Sequence, residues 1–176
     1  MNALSMKATR LCIRNATLCS LVLLGFIVLA TSAPVPAAAQ DSSALDFTAT
    51  ALDGTVFSGE SMAGKAVLLD FWGSWCAPCI HAFPTLRRLH DEFGEALQIV
   101  GLAYYSGELS DIDAFAAEYE LGYTIVEGHD EALDKFEVFA FPSYVLISAD
   151  GEVIFSRAGE VADLYERVVG ALKTSS

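Results

Sequence analysis

Two cysteines separated by two residues, Cys76 and Cys79, are the residues of this chain best suited to covalent chemistry. The apolar run Ala66–Trp72 comes just before them and predicts a buried strand, and apolar residues at helical spacing follow them. A helix N-terminus favours negative charge and therefore lowers a thiol pKa. Two intervening residues put the second sulfur one helical turn away, within disulfide reach. The pattern is typical of dithiol-disulfide redox chemistry.

A metal site is the first alternative for two closely spaced cysteines. A tetrahedral zinc site needs four ligands, and the sequence has no second Cys-x-x-Cys and no closely spaced His pair to complete one. A module that binds Cu(I) through its thiols stays open as another interpretation, although no methionine lies near Cys76 in the sequence. We expect no resident metal and no bound cofactor, because no segment is typical of NADPH or flavin binding.

The N-terminus has the order of a targeting segment. Three basic residues lie before the apolar residues 18–30, and a run of alanines ends at Ala39. This order predicts a secretory signal peptide cleaved near Ala39, and an uncleaved membrane anchor is the alternative. Both place the following domain outside the cytoplasm. We therefore divide the chain into a signal peptide or anchor at 1–39, a linker at 40–45 and one domain at 46–176.

Cysteine usage and charge limit the class of function. Cys12 and Cys19 belong to the N-terminal segment, so the domain itself holds only Cys76 and Cys79, which argues against a small disulfide-stapled scaffold. Three of the ten Lys and Arg residues also lie in that segment, which leaves seven against 23 Asp and Glu, a formal net charge of −16. Such acidity excludes a nucleic-acid partner, since phosphate binding needs a basic surface. It suits either solubility or a basic protein partner.

Apolar periodicity and turn residues predict the order of the elements around the cysteines. Asp53-Gly54 between two β-type runs predicts an N-terminal hairpin. Pro84 interrupts the helix that the cysteines open and should kink it. The other predicted elements are a strand at 97–103, a helix from Ser110 to about 121, a strand at 123–126, a helix at 130–138 capped by Asp130, strands after Pro142 and at 153–155, and a last helix at 161–172.

The segment from Asp70 to Cys79 resembles the active-site motif of the thioredoxin superfamily, Asp-Phe-Trp-x-x-Trp-Cys-x-Pro-Cys, at every fixed position. The N-terminal segment, the hairpin and the passage around Pro142 make residues 44–172 similar to the extracytoplasmic TlpA/ResA-type thiol-disulfide oxidoreductases. This resemblance implies an α/β, thioredoxin-like fold. Its central mixed β-sheet is flanked by helices, with an N-terminal β-hairpin and a mid-chain helix-strand insertion.

The resemblance also implies roles for individual residues. We expect Cys76 at the exposed edge of the helix start, where it attacks a substrate disulfide, and Cys79 one turn inward, where it resolves the mixed disulfide. The pair then alternates between a dithiol and a redox-active disulfide. Relatives more often have a smaller residue than phenylalanine before the proline of the later strand. Support of the active site is expected from Trp75, Pro78 and a cis Pro142, and contact with substrate from Phe141 and Trp72.

Asp70 is the most informative polar residue, because a carboxylate inside an apolar run is expected to be buried with a raised pKa. Thioredoxins have an aspartate at this offset, where it helps to deprotonate the resolving cysteine, so we expect Asp70 to accept the proton of Cys79. TlpA/ResA-type proteins usually have Asn there and often a glutamate three residues after the second cysteine, where this chain has Ala82. A structural Asp70 satisfied by a neighbour is the alternative.

Together these features predict a periplasmic or otherwise extracytoplasmic enzyme that reduces protein disulfides through Trp-Cys-Ala-Pro-Cys. Neither residue between the cysteines is polar, which favours a reductant over the main alternative, a disulfide-forming oxidase. A thiol peroxidase is disfavoured by the vicinal Cys79. The resemblance implies a role in cytochrome c maturation, apocytochrome c as a candidate substrate and a membrane thiol reductant as electron donor. Contact with the membrane is expected only through an uncleaved anchor.

Overall fold

The computed structural model describes residue 44 and residues 48–58, 60–62 and 64–174. The predicted signal peptide or anchor at 1–39 lies outside the described residues, and so does the predicted linker at 40–45 except for Ala44. Within the part of the chain that is described, no helix is long and apolar enough to cross a bilayer.

The predicted N-terminal hairpin is confirmed. It consists of the antiparallel strands β1 (Thr48–Thr50) and β2 (Val56–Ser58). The Ala51 N–H donates to the Thr55 carbonyl over 2.8 Å, so the connection closes around Asp53-Gly54. Gly54 has a φ of 84°, a left-handed conformation that glycine adopts without steric cost.

A five-stranded mixed sheet forms the centre of the domain. Its strands are β3 (Ala66–Trp72), β4 (Leu97–Ala103), β5 (Thr124–Glu127), β6 (Ser143–Ile147) and β7 (Val153–Ala158). They lie in the order β5-β4-β3-β6-β7, with β3 parallel to β4 and antiparallel to β6. All seven residues of β3 are buried, which explains why its sequence is apolar throughout except at Asp70 and does not alternate between apolar and polar residues.

Helices cover both faces of the sheet, as predicted. They are α1 (Ala77–Phe93), α2 (Leu109–Glu118), α3 (Asp130–Lys135) and α4 (Leu164–Thr174). Side chains alternate along β3, so Leu68 and Trp72 face the core under α1, α2 and α4, whereas Leu69 faces the core under the hairpin and the segment after α3. Asp70 lies between Leu68 and Trp72 in this alternation and therefore faces α1.

The beginning of α2 differs from the prediction. The helix starts at Leu109 with Glu108 at the N-cap, whereas Ser110, where the helix was predicted to begin, lies in the first turn. The physical reason is Asp111, whose carboxylate accepts the Glu108 N–H over 3.0 Å and satisfies a backbone donor that the helix itself leaves free.

The third and fourth helices are also shifted. Asp130 is the first residue of α3 rather than its cap, which is His129, and the helix ends at Lys135, shortly before Glu137 takes a positive φ of 52°. α4 begins at Leu164, three residues later than predicted, because Val161 forms a separate turn in which its carbonyl accepts the Leu164 N–H over 3.1 Å.

Candidate active site

The two cysteines form a disulfide at the start of α1. Cys76 is the N-cap residue, and its Cα lies 5.3 Å from that of Cys79. The Cys79 N–H points at the Cys76 sulfur over 3.3 Å. This donor and the positive end of the helix dipole would both stabilise a thiolate on Cys76 once the disulfide is reduced. The local geometry is therefore that of a reactive first cysteine.

Exposure distinguishes the two sulfurs less than the sequence predicts. Cys76 was expected at an exposed edge, but it is only 4% exposed, and Cys79 is 1% exposed. In this state the Cys76 sulfur is bonded to a sulfur inside the core, which turns it inward. Pro78 lies in the first turn of α1, where its lack of an N–H removes no helical hydrogen bond.

Trp75 forms the exposed border of the cysteine pair. Its side chain is 58% exposed, and its ring meets the ring of Phe141 edge to face at a centroid distance of 5.9 Å. The Trp75 ring can take this place because residue 73 is a glycine. A Cβ at Gly73 would lie 2.7 Å from the Trp75 Nε1 atom and 3.0 Å from the Tyr104 carbonyl oxygen. Only glycine leaves room for the indole to fold back over the turn.

The turn before the cysteines is tied to the chain that follows β4. The Ser74 N–H donates to the Ser106 hydroxyl over 2.9 Å, and that hydroxyl donates to the Tyr104 carbonyl over 3.0 Å. The Tyr104 N–H in turn donates to the Trp72 carbonyl over 2.8 Å. Ser106 is one of three buried polar residues among those described, so it serves this turn rather than solvent.

The Phe141–Pro142 peptide bond is cis, the isomer that the resemblance implied. The Pro142 carbonyl accepts the Gly159 N–H over 2.7 Å, and the Ser143 hydroxyl donates to the Ala140 carbonyl over 2.7 Å. Among the described residues, the backbone N–H and C=O of Phe141 have no hydrogen-bond partner. These two groups are free to pair with an extended segment of another protein, beside Trp75.

Phe141 itself joins an aromatic series next to the disulfide. Its ring stacks on that of Tyr104 at a centroid distance of 5.3 Å, and Tyr104 lies 6.3 Å from Tyr105, which is exposed and has a positive φ of 52°. The Tyr104 ring packs against Gly128, where a Cβ would lie 2.4 Å from the nearest ring atoms. The contact of Phe141 with substrate stays a prediction.

Trp72 requires a correction. The sequence placed it at the substrate-binding surface, but its side chain is 0% exposed. Its position on β3 turns it towards α1 and α2, where its ring packs against Phe83 at 5.5 Å and Phe115 at 5.4 Å between centroids. Trp72 is therefore a core residue with no exposed surface for a substrate to contact.

Asp70 is buried on the same face of the sheet as Cys79. Burial raises its pKa to about 8, because a charged carboxylate loses its hydration there, and the neighbouring Tyr123 hydroxyl lowers the pKa by a smaller amount. Its Oδ2 atom has no hydrogen-bond partner among the described residues. Ala82, at the position of the glutamate in many relatives, packs against the core and brings no charge. Among the described residues, Asp70 is the only buried carboxylate.

Several residues around the site were not singled out by the sequence. Except for Gly73, which lies within the motif at one of its variable positions, their contribution depends on which segments are neighbours in space. Gly101 lies opposite Asp70 in the β3–β4 register, and Tyr144 lies opposite it in the β3–β6 register. The only available signals were a glycine inside an apolar strand and polar tips on core aromatic residues. The set comprises Gly73, Gly101, Ser106, Tyr123 and Tyr144.

Comparison with known proteins agrees with this geometry. Residues 41–156 match the model of the AhpC/TSA family. The thiol-disulfide oxidoreductase ResA of Geobacillus kaustophilus is 33% identical over 119 residues, which cover 66% of this chain and 68% of that protein. ResA of Bacillus subtilis is 28% identical over 152 residues, or 84% of each chain.

A solved structure shares the fold at a similar level of identity. It is that of a secreted Mycobacterium tuberculosis disulfide oxidoreductase homologous to E. coli DsbE. The superposition gives a TM-score of 0.63 with 28% identity, and it covers 76% of this chain and 98% of the other.

Proposed function

This chain belongs to the AhpC/TSA family and is a thiol-disulfide oxidoreductase with a thioredoxin-like fold, and we propose that it reduces protein disulfides outside the cytoplasm. The observation that carries the proposal is the Cys76–Cys79 disulfide at the N-terminus of α1, on the face of the sheet that holds the buried Asp70. In the proposed reaction Cys76 is the nucleophile, Cys79 the resolving thiol and Asp70 the proton acceptor.

The first step of the proposed reaction uses the reduced enzyme. The Cys76 thiolate attacks one sulfur of a substrate disulfide, the substrate S–S bond breaks, and the second substrate sulfur leaves as a thiolate. The product is a mixed disulfide between Cys76 and the substrate. The N-terminus of α1 and the Cys79 N–H support the thiolate form of Cys76 before the attack.

The second step releases the reduced substrate. The Cys79 sulfur attacks the Cys76 sulfur, the bond from Cys76 to the substrate breaks, and the substrate leaves as a thiolate. Asp70 accepts the Cys79 proton during this step. A carboxyl with a pKa of about 8 is well matched to a thiol, because efficient proton transfer needs similar pKa values on both partners.

The reducing direction rests on the residues between the cysteines. Ala77 and Pro78 offer no polar group that would stabilise the reduced form and make the disulfide a strong oxidant. The substrate is proposed to be a protein, bound along the free Phe141 backbone groups and the exposed Trp75 ring. Apocytochrome c is the specific candidate taken from the resemblance, with a membrane thiol reductant as electron donor.

The extracytoplasmic location rests on the N-terminal sequence. A basic region, a short apolar segment and a run of alanines precede the domain, and one structural relative is described as secreted. A disulfide-exchanging site with no further cysteine in its domain suits such a compartment.

The reduction potential of the Cys76–Cys79 pair tests the proposed direction. The chain is equilibrated with glutathione and then dithiothreitol buffers at pH 7, and the dithiol fraction is measured by thiol alkylation. We expect a value near that of thioredoxin, about −270 mV. A value near −120 mV, the range of a strong oxidant, would overturn the reductase and make the protein a disulfide donor.

A further inference from the structure

Four buried side-chain atoms have no hydrogen-bond partner among the described residues. They are Asp70 Oδ2, Trp72 Nε1 and the hydroxyl oxygens of Tyr123 and Tyr144. Trp72, Tyr123 and Tyr144 belong to the core cluster that contains Cys79, on the face towards which Asp70 points. Nearly all buried polar groups in native proteins have partners, so four such atoms in one cluster need an explanation.

Gly101 brings Tyr123 to this cluster. It is the β4 residue in register with Asp70, and a Cβ there would lie 3.2 Å from Tyr123 Cε2 and 2.9 Å from Trp72 Nε1. The Tyr123 ring therefore rests on the β4 backbone beside the carboxyl group. Tyr123 comes directly before β5, so the segment between β4 and β6 contributes a side chain to the centre of the site.

We propose that Tyr123 is a positioning residue whose hydroxyl donates a hydrogen bond to the Asp70 carboxylate whenever Asp70 is ionised, and thereby sets the pH at which Cys79 can be deprotonated. The inference rests on the proposed role of Asp70. When Cys79 attacks the mixed disulfide, its proton moves to Asp70, the S–S bond to the substrate breaks and the substrate thiolate carries away the electron pair. Asp70 is then protonated, so the Tyr123 hydroxyl has no carboxylate to donate to. The disulfide form has the same arrangement.

Several other titratable or charged groups surround Asp70 and Tyr123. Cys79 faces it from α1, and Tyr144 faces it from β6. His90, also on α1, packs on the Tyr123 ring at 6.3 Å between centroids, and the negative charge of Glu160 acts on Tyr144. The Tyr123 hydroxyl lowers the pKa of Asp70, whereas the negative charge of Asp70 raises the pKa of Tyr144.

The pair Tyr123→Phe and Tyr144→Phe tests the assignment, since each variant removes one unpartnered buried hydroxyl from the same cluster. The reduced full chain is mixed with 5,5′-dithiobis(2-nitrobenzoate) in a stopped-flow instrument from pH 5 to 10. The second release of thionitrobenzoate reports the attack of Cys79. For Tyr123→Phe we expect this step to be about tenfold slower at pH 7, with its midpoint raised by about one pH unit. Tyr144→Phe should keep the wild-type midpoint.

The controls separate this inference from the proposed function. Asp70→Asn should remove the pH dependence near 8, and a wild-type profile in that variant would overturn the role of Asp70 itself. If Asp70→Asn behaves as expected but Tyr123→Phe keeps the wild-type midpoint, or both tyrosine variants shift it equally, only the assignment of Tyr123 is overturned. Should Tyr123→Phe not fold, 3-fluorotyrosine at position 123 gives a stronger donor, and it must lower the midpoint.

Discussion

The Ser106 hydroxyl accepts the N–H of Ser74 over 2.9 Å and so connects the turn before the cysteines to the segment after β4. Thirty-two residues of sequence separate the two serines. The bond fixes the backbone immediately before Trp75 and Cys76, where the nucleophile must be aimed. A buried hydroxyl that serves a backbone donor in this way is part of the support of the active site, although it takes no part in the exchange of electrons.

Ser106→Ala is expected to loosen this turn. The Ser74 N–H loses its partner, and an unsatisfied donor of this kind lowers the free energy of unfolding by about 1–3 kcal/mol. We expect a slower reduction of insulin by the full chain, because Trp75 and Cys76 are less well positioned. The control is Ser148→Ala, which removes an exposed hydroxyl that accepts the Glu152 N–H. Equal rates and stabilities for the two variants would contradict the role of Ser106.

Asp70→Asn is expected to stabilise the oxidised protein at neutral and alkaline pH. The folded-state pKa of Asp70 is raised to about 8, so the carboxyl holds its proton in the folded state while the unfolded chain releases it. The wild-type protein is therefore most stable below the unfolded pKa and loses stability as pH rises towards 8. The variant lacks this loss, and its advantage at pH 8 should exceed that at pH 5 by on the order of 3 kcal/mol.

Urea unfolding of the two oxidised proteins at pH 5 and pH 8 measures this difference. Asp53→Asn serves as the control, because Asp53 is exposed and its pKa is lowered by hydrogen bonds from Thr55. That variant should lose stability at both pH values rather than gain it. Parallel curves for wild type and Asp70→Asn at the two pH values would show that Asp70 is ionised in the folded protein.

Cys79→Ser is expected to retain substrates as mixed disulfides. Cys76 still attacks, but no neighbouring thiol resolves the product, so substrate proteins stay bound through a bond that dithiothreitol breaks. The matched control is Cys76→Ser, which should capture nothing because the Cys79 N–H that supports a thiolate points at the sulfur of residue 76. Non-reducing gel electrophoresis and mass spectrometry of the bands check the result. Capture by Cys76→Ser alone would reverse the assigned roles.

Trp75→Ala is expected to impair reactions with proteins more than reactions with small disulfides. The exposed indole contributes apolar contact for a polypeptide, whereas a small disulfide needs only the sulfur. We expect kcat/KM for insulin to fall about tenfold while the rate with oxidised glutathione stays within about twofold. Val153→Ala is the control, since Val153 is 48% exposed at the end of β7 remote from Pro142. An equal loss with both disulfides would argue against a role in substrate contact.

The sequence predicts the main elements of the site because they are local. Six of the seven residues of Ala66–Trp72 are apolar, and a run of this length favours a buried strand. The spacing of Cys76 and Cys79 places both at one helix start. The hairpin and the strand at Leu97–Ala103 follow from the same kind of pattern and are confirmed. The fold class follows from the resemblance of the active-site motif and is also confirmed.

What the sequence could not predict depends on neighbours in space. Trp72 was placed at the surface because it belongs to the motif, yet the alternation along β3 turns it into the core. The contacts of Gly101 and Ser106 require the register of β3 with β4 and the path of the chain after it. The α2 start was missed because the competing side chain, Asp111, caps from inside the helix.

At three of the glycines described above, aromatic side chains pack directly against the glycine backbone. Trp75 packs on Gly73, Trp72 and Tyr123 pack on Gly101, and Tyr104 packs on Gly128. None of these glycines has a functional group, and in each case a single methyl would come within 3 Å of a ring atom. The packing therefore restricts which residues are tolerated at positions that take no part in the chemistry. In a saturation library selected for disulfide reduction, these three sites should be depleted of every substitution about as strongly as the cysteines.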